Sequence, residues 1–412
     1  SILVQASASM CLGLEHLLAF IRRRFLAQQC SQPVANAAAA SPTVAGLDYA
    51  GELPLRRSLS KAANSCIKSP ASLDDTLKSE TKMGGNATRC KIQVCENISD
   101  FYDIEGLVLP SLHRNMQIRH ASPKNSNSLE PVVIKMRAKR GSFQNEAEEQ
   151  SWRLGMELMM NFPTCGSLCQ IYEVWEDASA YYVVMERVGG MDLCGALWVA
   201  GTLPVLEVKA IMRQLLIGIA ELHANGCIHR DIKLENVMLD RTPSASTAST
   251  ASDACPSASQ DSLSCSEDSL LCSVKVVDFD TVANWSNNSA AAKEIVGTNH
   301  YLPAEAYHGV YSPASDIFAI GIIMYNLLTG DFPLDDRIFD DGYSDYRAGL
   351  PEMQDISDRI ANTEINWDHQ VFKSEPAAQE LLQKMLLANM DLRPSATSAL
   401  KHSWLAEPAC PT

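Results

Sequence analysis

Positive charge is what this sequence has least of: 34 lysines and arginines stand against 49 aspartates and glutamates, a net charge of −15 at neutral pH. Such a balance excludes a chain that binds nucleic acid, or a membrane through a polybasic face, with its surface as a whole, and it suits basic peptides. C-x-x-C spacing is absent although there are 13 cysteines, an odd number. The nearest pair, Cys165 and Cys169, has no further Cys or His set around it. The expectation is reduced thiols in an intracellular, cytoplasmic chain rather than a zinc module or a disulfide framework. No D-x-D-x-D-G calcium loop occurs.

What is present is unevenly spread. Apolar residues make up 46% of the 412, enough for a core, but the first hundred residues and the stretch after Asp240 are rich in Ser, Ala and Thr. One large two-lobed domain with unfolded tails fits this better than two or three average domains. The chain begins at Ser1 without an initiator Met, which leaves open a fragment, a processed product or a translated upstream region. Within residues 10–28, Leu14, Leu17, Leu18, Ile21 and Phe25 recur at helical spacing beside Arg22, Arg23 and Arg24. This amphipathic stretch is too short to span a bilayer. It reads as an organelle-targeting or membrane-surface helix, the one route to membrane contact, or else as a partner-docking or untranslated stretch. A Ser- and Ala-rich linker follows, so residues 1–97 are expected to be an N-terminal extension, largely disordered.

The chemistry concentrates in Ile228 to Met238, which reads I-H-R-D-I-K-L-E-N-V-M. Asp231 and Asn236 stand five residues apart on one loop, and a strand 42 residues past Asn236 delivers Asp278 in Val-Asp-Phe-Asp. Gly297, Thr298 and Glu305 follow. In this order the segments resemble the H-R-D…N and D-F-G motifs of protein kinases, with the calcium- and calmodulin-dependent branch of serine/threonine kinases the nearest. That branch is suggested by Tyr172-Glu-Val-Trp-Glu-Asp177, by Ser312-Pro-Ala-Ser-Asp316 and by Lys401-His-Ser-Trp404. The resemblance implies an α+β fold with a small β-rich lobe at 98–188 and a large helical lobe at 189–406, a disordered Ser-rich insert at 241–273, and a tail at 407–412. It also implies ATP and Mg²⁺ as cofactors and proteins bearing Ser or Thr as substrates, with an upstream kinase as a further partner and no nucleic acid.

Phosphoryl transfer through a loose transition state asks for positioning and charge neutralisation, which explains the residue types. By the resemblance Asp231 is the catalytic base, Lys233 contacts the γ-phosphate, Arg230 receives an activating anion, and Asn236 and Asp278 hold Mg²⁺. Pro131 to Lys135 reads as a strand similar to V-A-I-K, placing Lys135 on the phosphates. A helix is expected from about Phe143 to Met160, capped at Ser142, carrying the glutamate that holds this lysine. Glu157 is preferred and Glu149 is the other candidate, with Glu146 and Glu148 on a solvated face. Met185 would guard the back of the nucleotide pocket, the backbone of Glu186 and Val188 would meet adenine, and Asp192 would meet ribose. Val133 and Met238 belong to the same pocket.

Two departures stand out. The positions of the glycine-rich loop, counted back from Ile118, fall on Ser111, His113 and Met116, none of them glycine. Asp280 occupies the glycine position of D-F-G. An active Mg²⁺- and ATP-dependent serine/threonine kinase is therefore weighed against a kinase-like scaffold with a weak or absent nucleotide site. In the large lobe, Thr298 is expected to bond near Asp231, Arg393 to pair with Glu305, and Asp316, on a fully buried helix ending at Gly330, to bond the loop backbone.

Overall fold

The computed structural model describes residues 89–108, 115–124, 131–241, 272–339 and 347–406. The expected helix at 10–28, the linker, positions Ser111 and His113 of the loop, nearly all of the Ser-rich insert and the tail at 407–412 lie outside them.

The small lobe is a six-stranded sheet in the order β1-β5-β6-β4-β3-β2. Its strands are β1 (Gln93–Val94), β2 (Tyr102–Leu107), β3 (Met116–Pro123), β4 (Val132–Ala138), β5 (Ile171–Glu176) and β6 (Ala180–Glu186). The sheet starts ahead of the expected boundary at Ile98: β1 pairs in parallel with β5, Gln93 opposite Trp175. Two residues carry no readable alternation, so this strand is set by its partner. The alternation of β4 sorts its side chains cleanly. Val132 and Ile134 join a small core with Ala121, Trp175, Tyr182 and Val184. Val133, Lys135 and Arg137 occupy the opposite face.

Against that face lies α1 (Glu146–Met160), which begins later than expected and is capped by Asn145 rather than Ser142. The Asn145 side chain accepts the N–H of Glu148 at 2.9 Å, as an N-cap does, while the Ser142 carbonyl accepts from Arg137. Trp152, Gly155, Met156, Met159 and Met160 form the buried stripe at i, i+3, i+4, i+7 and i+8. Gly155 is required there, because a Cβ would stand 2.8 Å from the carbonyl oxygen of Val282. Arg153 grips Glu176 of β5 through two bonds of 2.8 and 2.9 Å, and Lys139 adds a third at 2.7 Å.

In the large lobe, α2 (Leu193–Ala200) and α3 (Val205–Ala224) lead into β8 (Cys227–Ile228). Ile211, Met212, Leu215, Leu216, Ile219 and Leu222 of α3 are fully buried, each side chain contributing roughly 1.5–3 kcal/mol by removal from water. A three-stranded sheet orders β10 (Ser273–Val276), β9 (Val237–Asp240) and β7 (Met191–Asp192), and β11 (Ala283–Asn284) pairs with β8. The expected buried helix is α4 (Pro313–Thr329), with a Ser312/Ser315 capping box at its start and Gly330, at φ 81°, closing its end. Beyond it come α5 (Pro351–Asn362), α6 (Gln370–Ser374), α7 (Pro376–Met385) and α8 (Ala396–Leu400). Arg393, its side chain fully buried, clamps Glu305 through bonds of 2.6 and 2.9 Å, pinning to the lobe the end of the segment from Asp278 to Glu305, the activation segment.

The brace at Glu176 has a pH signature. Hydrogen bonding from Arg153 holds its pKa down at about 2, against an ordinary 4.5. A depressed carboxylate pKa stabilises the fold above the unfolded value and loses that contribution as pH falls through the folded one. Glu176→Gln should therefore cost roughly 1–2 kcal/mol near pH 7, allowing for partial solvent screening. In denaturant unfolding the gap to wild type should stay constant down to about pH 5 and shrink steadily below it; a gap independent of pH would contradict the assignment.

Candidate active site

The site lies where β4, the 229–236 loop, the 278–281 segment and Thr298 meet. The loop is suspended from α4 by one side chain. Asp316 accepts the backbone N–H groups of His229 and Arg230, each at 2.9 Å, and the ring of His223 at 2.9 Å. Burial alone would raise its pKa, but the bond and charge interaction with His223, together with His229 and its backbone N–H, leave it lowered. Arg230 is held at φ 71° and Asp278 at φ 64°, the only positive-φ residues other than glycine among those described. Such conformations persist only when neighbours over-determine them. The Arg230 side chain donates to the carbonyl of Thr281 at 2.6 Å and lies over Tyr311, and Thr281 in turn donates its hydroxyl to the carbonyl of His229 at 2.7 Å.

Asp231 receives the Thr298 hydroxyl on Oδ1 at 2.8 Å and the Lys233 ammonium on Oδ2 at 2.9 Å, and Lys233 also donates to Thr298 at 3.1 Å. Burial pulls the Lys233 pKa down, but Asp231, Glu235 and Asp278 together outweigh it and the net shift is upward. Asn236 donates to the backbone oxygen of Asp231 at 2.9 Å, and its own carbonyl accepts the Val277 N–H at 2.9 Å. That last bond continues the β9–β10 ladder, in which Val237 faces Val276, and brings the amide of Asn236 and the carboxylate of Asp278 onto adjacent loops.

Lys135 is 4% exposed. Its ammonium meets Asp278 at 2.7 Å and Asp280 at 2.8 Å. Burial lowers its pKa and the two carboxylates more than restore it; the same ammonium leads the influences holding Asp278 below the usual range despite that group's own burial. The expected helix glutamate is not the partner. Glu157 falls off the buried stripe of α1, and its backbone oxygen accepts from Asn161. Glu149 takes the Tyr181 hydroxyl at 2.5 Å. Trp152 occupies the inward position and donates its indole N–H to Asp280 at 3.1 Å.

The remaining positions expected around a nucleotide lie on β4, β6, β7 and β9 and just after β6. Val133 shares a strand face with Lys135 and stands opposite Met185. The N–H of Glu186 goes to Gln170 at 2.9 Å and its carboxylate to Lys275 at 2.8 Å. Val188 is half-buried just beyond β6. Asp192 caps α2, accepting the N–H of Gly195 at 2.6 Å, and faces Met238 across the β7–β9 pair. Two contributors were not apparent as ligands of the lysine site: Trp152, recoverable only from the phase of the α1 stripe, and Arg137, which shares the Lys135 strand face and reaches Asp280 at 3.2 Å.

The donor set fits Mg²⁺ with a nucleotide. Asp278 and Asn236 offer hard oxygens, and among the described residues no group of three His, Cys, Asp or Glu could hold a metal by itself. Two protein ligands completed by phosphate oxygens is how Mg²⁺ is usually held.

Sequence comparison agrees with this geometry. The protein kinase domain model matches residues 121–405. The chain belongs to the protein kinase family. It is 26% identical over 275 residues to calcium-dependent protein kinase 4 of Plasmodium berghei, covering 66% of this chain and 43% of that protein. It is 27% identical over 241 residues to CDPK-related kinase 4 of Arabidopsis thaliana, covering 58% and 34%. Serine/threonine-protein kinase PrkC of Bacillus subtilis is 31% identical over 171 residues, 41% of this chain and 22% of that one. The chain thus spans less than half the length of these curated relatives, and within the family it resembles the calcium-dependent branch.

Asp316→Ala leaves two backbone N–H groups without their acceptor. It should cost about 3–5 kcal/mol in denaturant unfolding and expose the 226–236 loop to limited proteolysis. Asp368→Ala, at an exposed pair with Lys373, should stay within about 0.5 kcal/mol of wild type. Equal effects of the two would remove Asp316 as the loop's anchor.

Proposed function

We propose that this chain transfers the γ-phosphoryl group of ATP to serine and threonine hydroxyls of protein substrates. The arrangement of Asp231, Lys233 and Thr298 beside Asn236 and Asp278 carries the reading, because it joins a proton acceptor, a cation and two hard oxygens in one cleft. Asp231 is oriented on both oxygens and accepts the proton of the attacking hydroxyl. The bond formed is between that hydroxyl oxygen and the γ-phosphorus; the bond broken is to the β,γ-bridging oxygen, which leaves on ADP with the electron pair. Lys233 balances charge on the transferring group, and Lys135 orients the α- and β-phosphates. Bound Mg²⁺ supplies neutralisation of the phosphate charge, with Asn236 and Asp278 holding it. Val133, Met185, Val188 and Met238 enclose adenine, with the backbone of Glu186 and Val188 along its edge and Asp192 near ribose.

Lysine two residues after the base supports a Ser/Thr acceptor. An upstream kinase acting on the exposed Ser286 or Ser289 is part of the proposal, with Arg230 as the group that senses the added charge. An intracellular setting is supported by Cys90, Cys95, Cys165, Cys169, Cys194, Cys227 and Cys272, all free thiols. Among the described residues no helix is long and apolar enough to cross a membrane. One observation favours the scaffold reading: Asp278 already holds Lys135 at 2.7 Å, a bond that metal and phosphates must loosen to bind.

The test is transfer of labelled γ-phosphate from Mg²⁺ and ATP to a generic basic protein. Asp231→Asn should lower the rate by about 10²- to 10⁴-fold, and Asp278→Asn should lower it at least as much while weakening the Mg²⁺ dependence. Signal equal in all three proteins, or none from folded wild type phosphorylated on its activation segment, would sink the proposal.

A further inference from the structure

The ion partner of Lys135 lies on the wrong element for the family pattern, and the residues around it show a consistent replacement. A strand lysine that orients phosphates needs a carboxylate that stays with it when the metal takes Asp278. The helix offers none, since its inward position is Trp152, 4% exposed. Asp280 offers one from the activation segment. Its Oδ2 meets Lys135 at 2.8 Å and Arg137 at 3.2 Å, and its Oδ1 takes the Trp152 indole at 3.1 Å. Both basic residues on this face of β4 therefore converge on one carboxylate, and Arg137 is itself fixed over the ring of Phe143 at 4.0 Å. Asp280 is absent from the residues with positive φ, so its backbone conformation does not call for glycine.

We infer that Asp280 is the positioning residue that holds Lys135 in its nucleotide-orienting place, so that the clamp supplied elsewhere by a helix glutamate has moved to the activation segment, with Trp152 as its brace. This rests on the phosphotransferase reading above. Two consequences follow from the geometry. The helix no longer has to present an acid for the site to form, so its rotation does not by itself break the lysine pair. The activation segment does have to be seated, because Asp278 and Asp280 arrive together, while Thr281 bonds the catalytic loop immediately after them. Lysine positioning and metal binding are thereby set by one segment.

The experiment compares wild type with Asp280→Asn, Asp280→Gly and the double variant Trp152→Glu/Asp280→Gly. Mg²⁺·ATP affinity is read by titration calorimetry and steady-state kinetics by phosphate transfer, with thermal unfolding as the folding control. Asp280→Asn keeps an acceptor for Trp152 but removes the charge. It should weaken Mg²⁺·ATP binding and raise the KM for ATP by roughly tenfold or more, with a smaller change in kcat. Asp280→Gly, although it restores the family glycine, should lose as much. The double variant returns a carboxylate from the helix and should recover most of the lost affinity; if it does not fold, the two single variants decide. Affinity and KM equal to or better than wild type in both single variants would overturn the inference, since Asp280 would then be dispensable or a competitor of the phosphates. Should wild type bind Mg²⁺·ATP but transfer nothing, the phosphotransferase reading fails and the affinities alone judge Asp280. Should it bind no nucleotide, both fail.

Discussion

A lysine removed from water remains an ammonium only if anions are packed against it. Lys135 meets that condition with two carboxylates from a single three-residue stretch, and much of the architecture follows from the need to deliver them. The stretch hangs from the end of β10, which is zipped to β9 in strict register. It passes the close contact with Gly155 of α1, where no side chain would fit, and then rejoins the large lobe through the β11–β8 pair. The small lobe thus meets the large one through charge as well as through apolar contact.

The catalytic loop is built on the same logic from the opposite side. Asp316 gathers two backbone N–H groups from a loop that adopts a costly left-handed conformation at Arg230. A buried helix can offer a fixed carboxylate where an exposed one could not, because α4 is packed on every face from Ser315 to Leu328. Asp231 is then left with both oxygens engaged by side chains, Thr298 and Lys233. Its direction is set before any substrate arrives, and for the proposed phosphoryl transfer such preorganisation would lower the cost of reaching the transition state.

Chain order made much of this legible. Asp316, Thr298 and Arg393 were placed by their position relative to the two motifs, and each makes the contact expected of it, while Gly330 closes the apolar helix as a C-cap glycine does. Such residues are constrained by chemistry at fixed offsets. The positions that misled are those decided by tertiary packing. Ser142 and Asn145 are both competent caps, and the choice between them depends on where β4 ends and on the pull of Arg137 on the Ser142 carbonyl. Glu157 was the preferred acid and Glu149 the alternative, but the stripe that faces the sheet is set by Trp152, Gly155 and Met156. Asp280 read as a lost glycine because spacing says what a motif lacks and nothing about what a new side chain can reach.

Whether Lys135 and Asp280 work as a pair is decided by a double-mutant cycle on folding stability. Lys135→Met, Asp280→Asn and the combination, measured by denaturant unfolding without nucleotide or metal, give the coupling between the two side chains. A working pair should show non-additivity on the order of 1–3 kcal/mol, the range for contacting residues within one network. Additive effects within about 0.3–0.5 kcal/mol would contradict it.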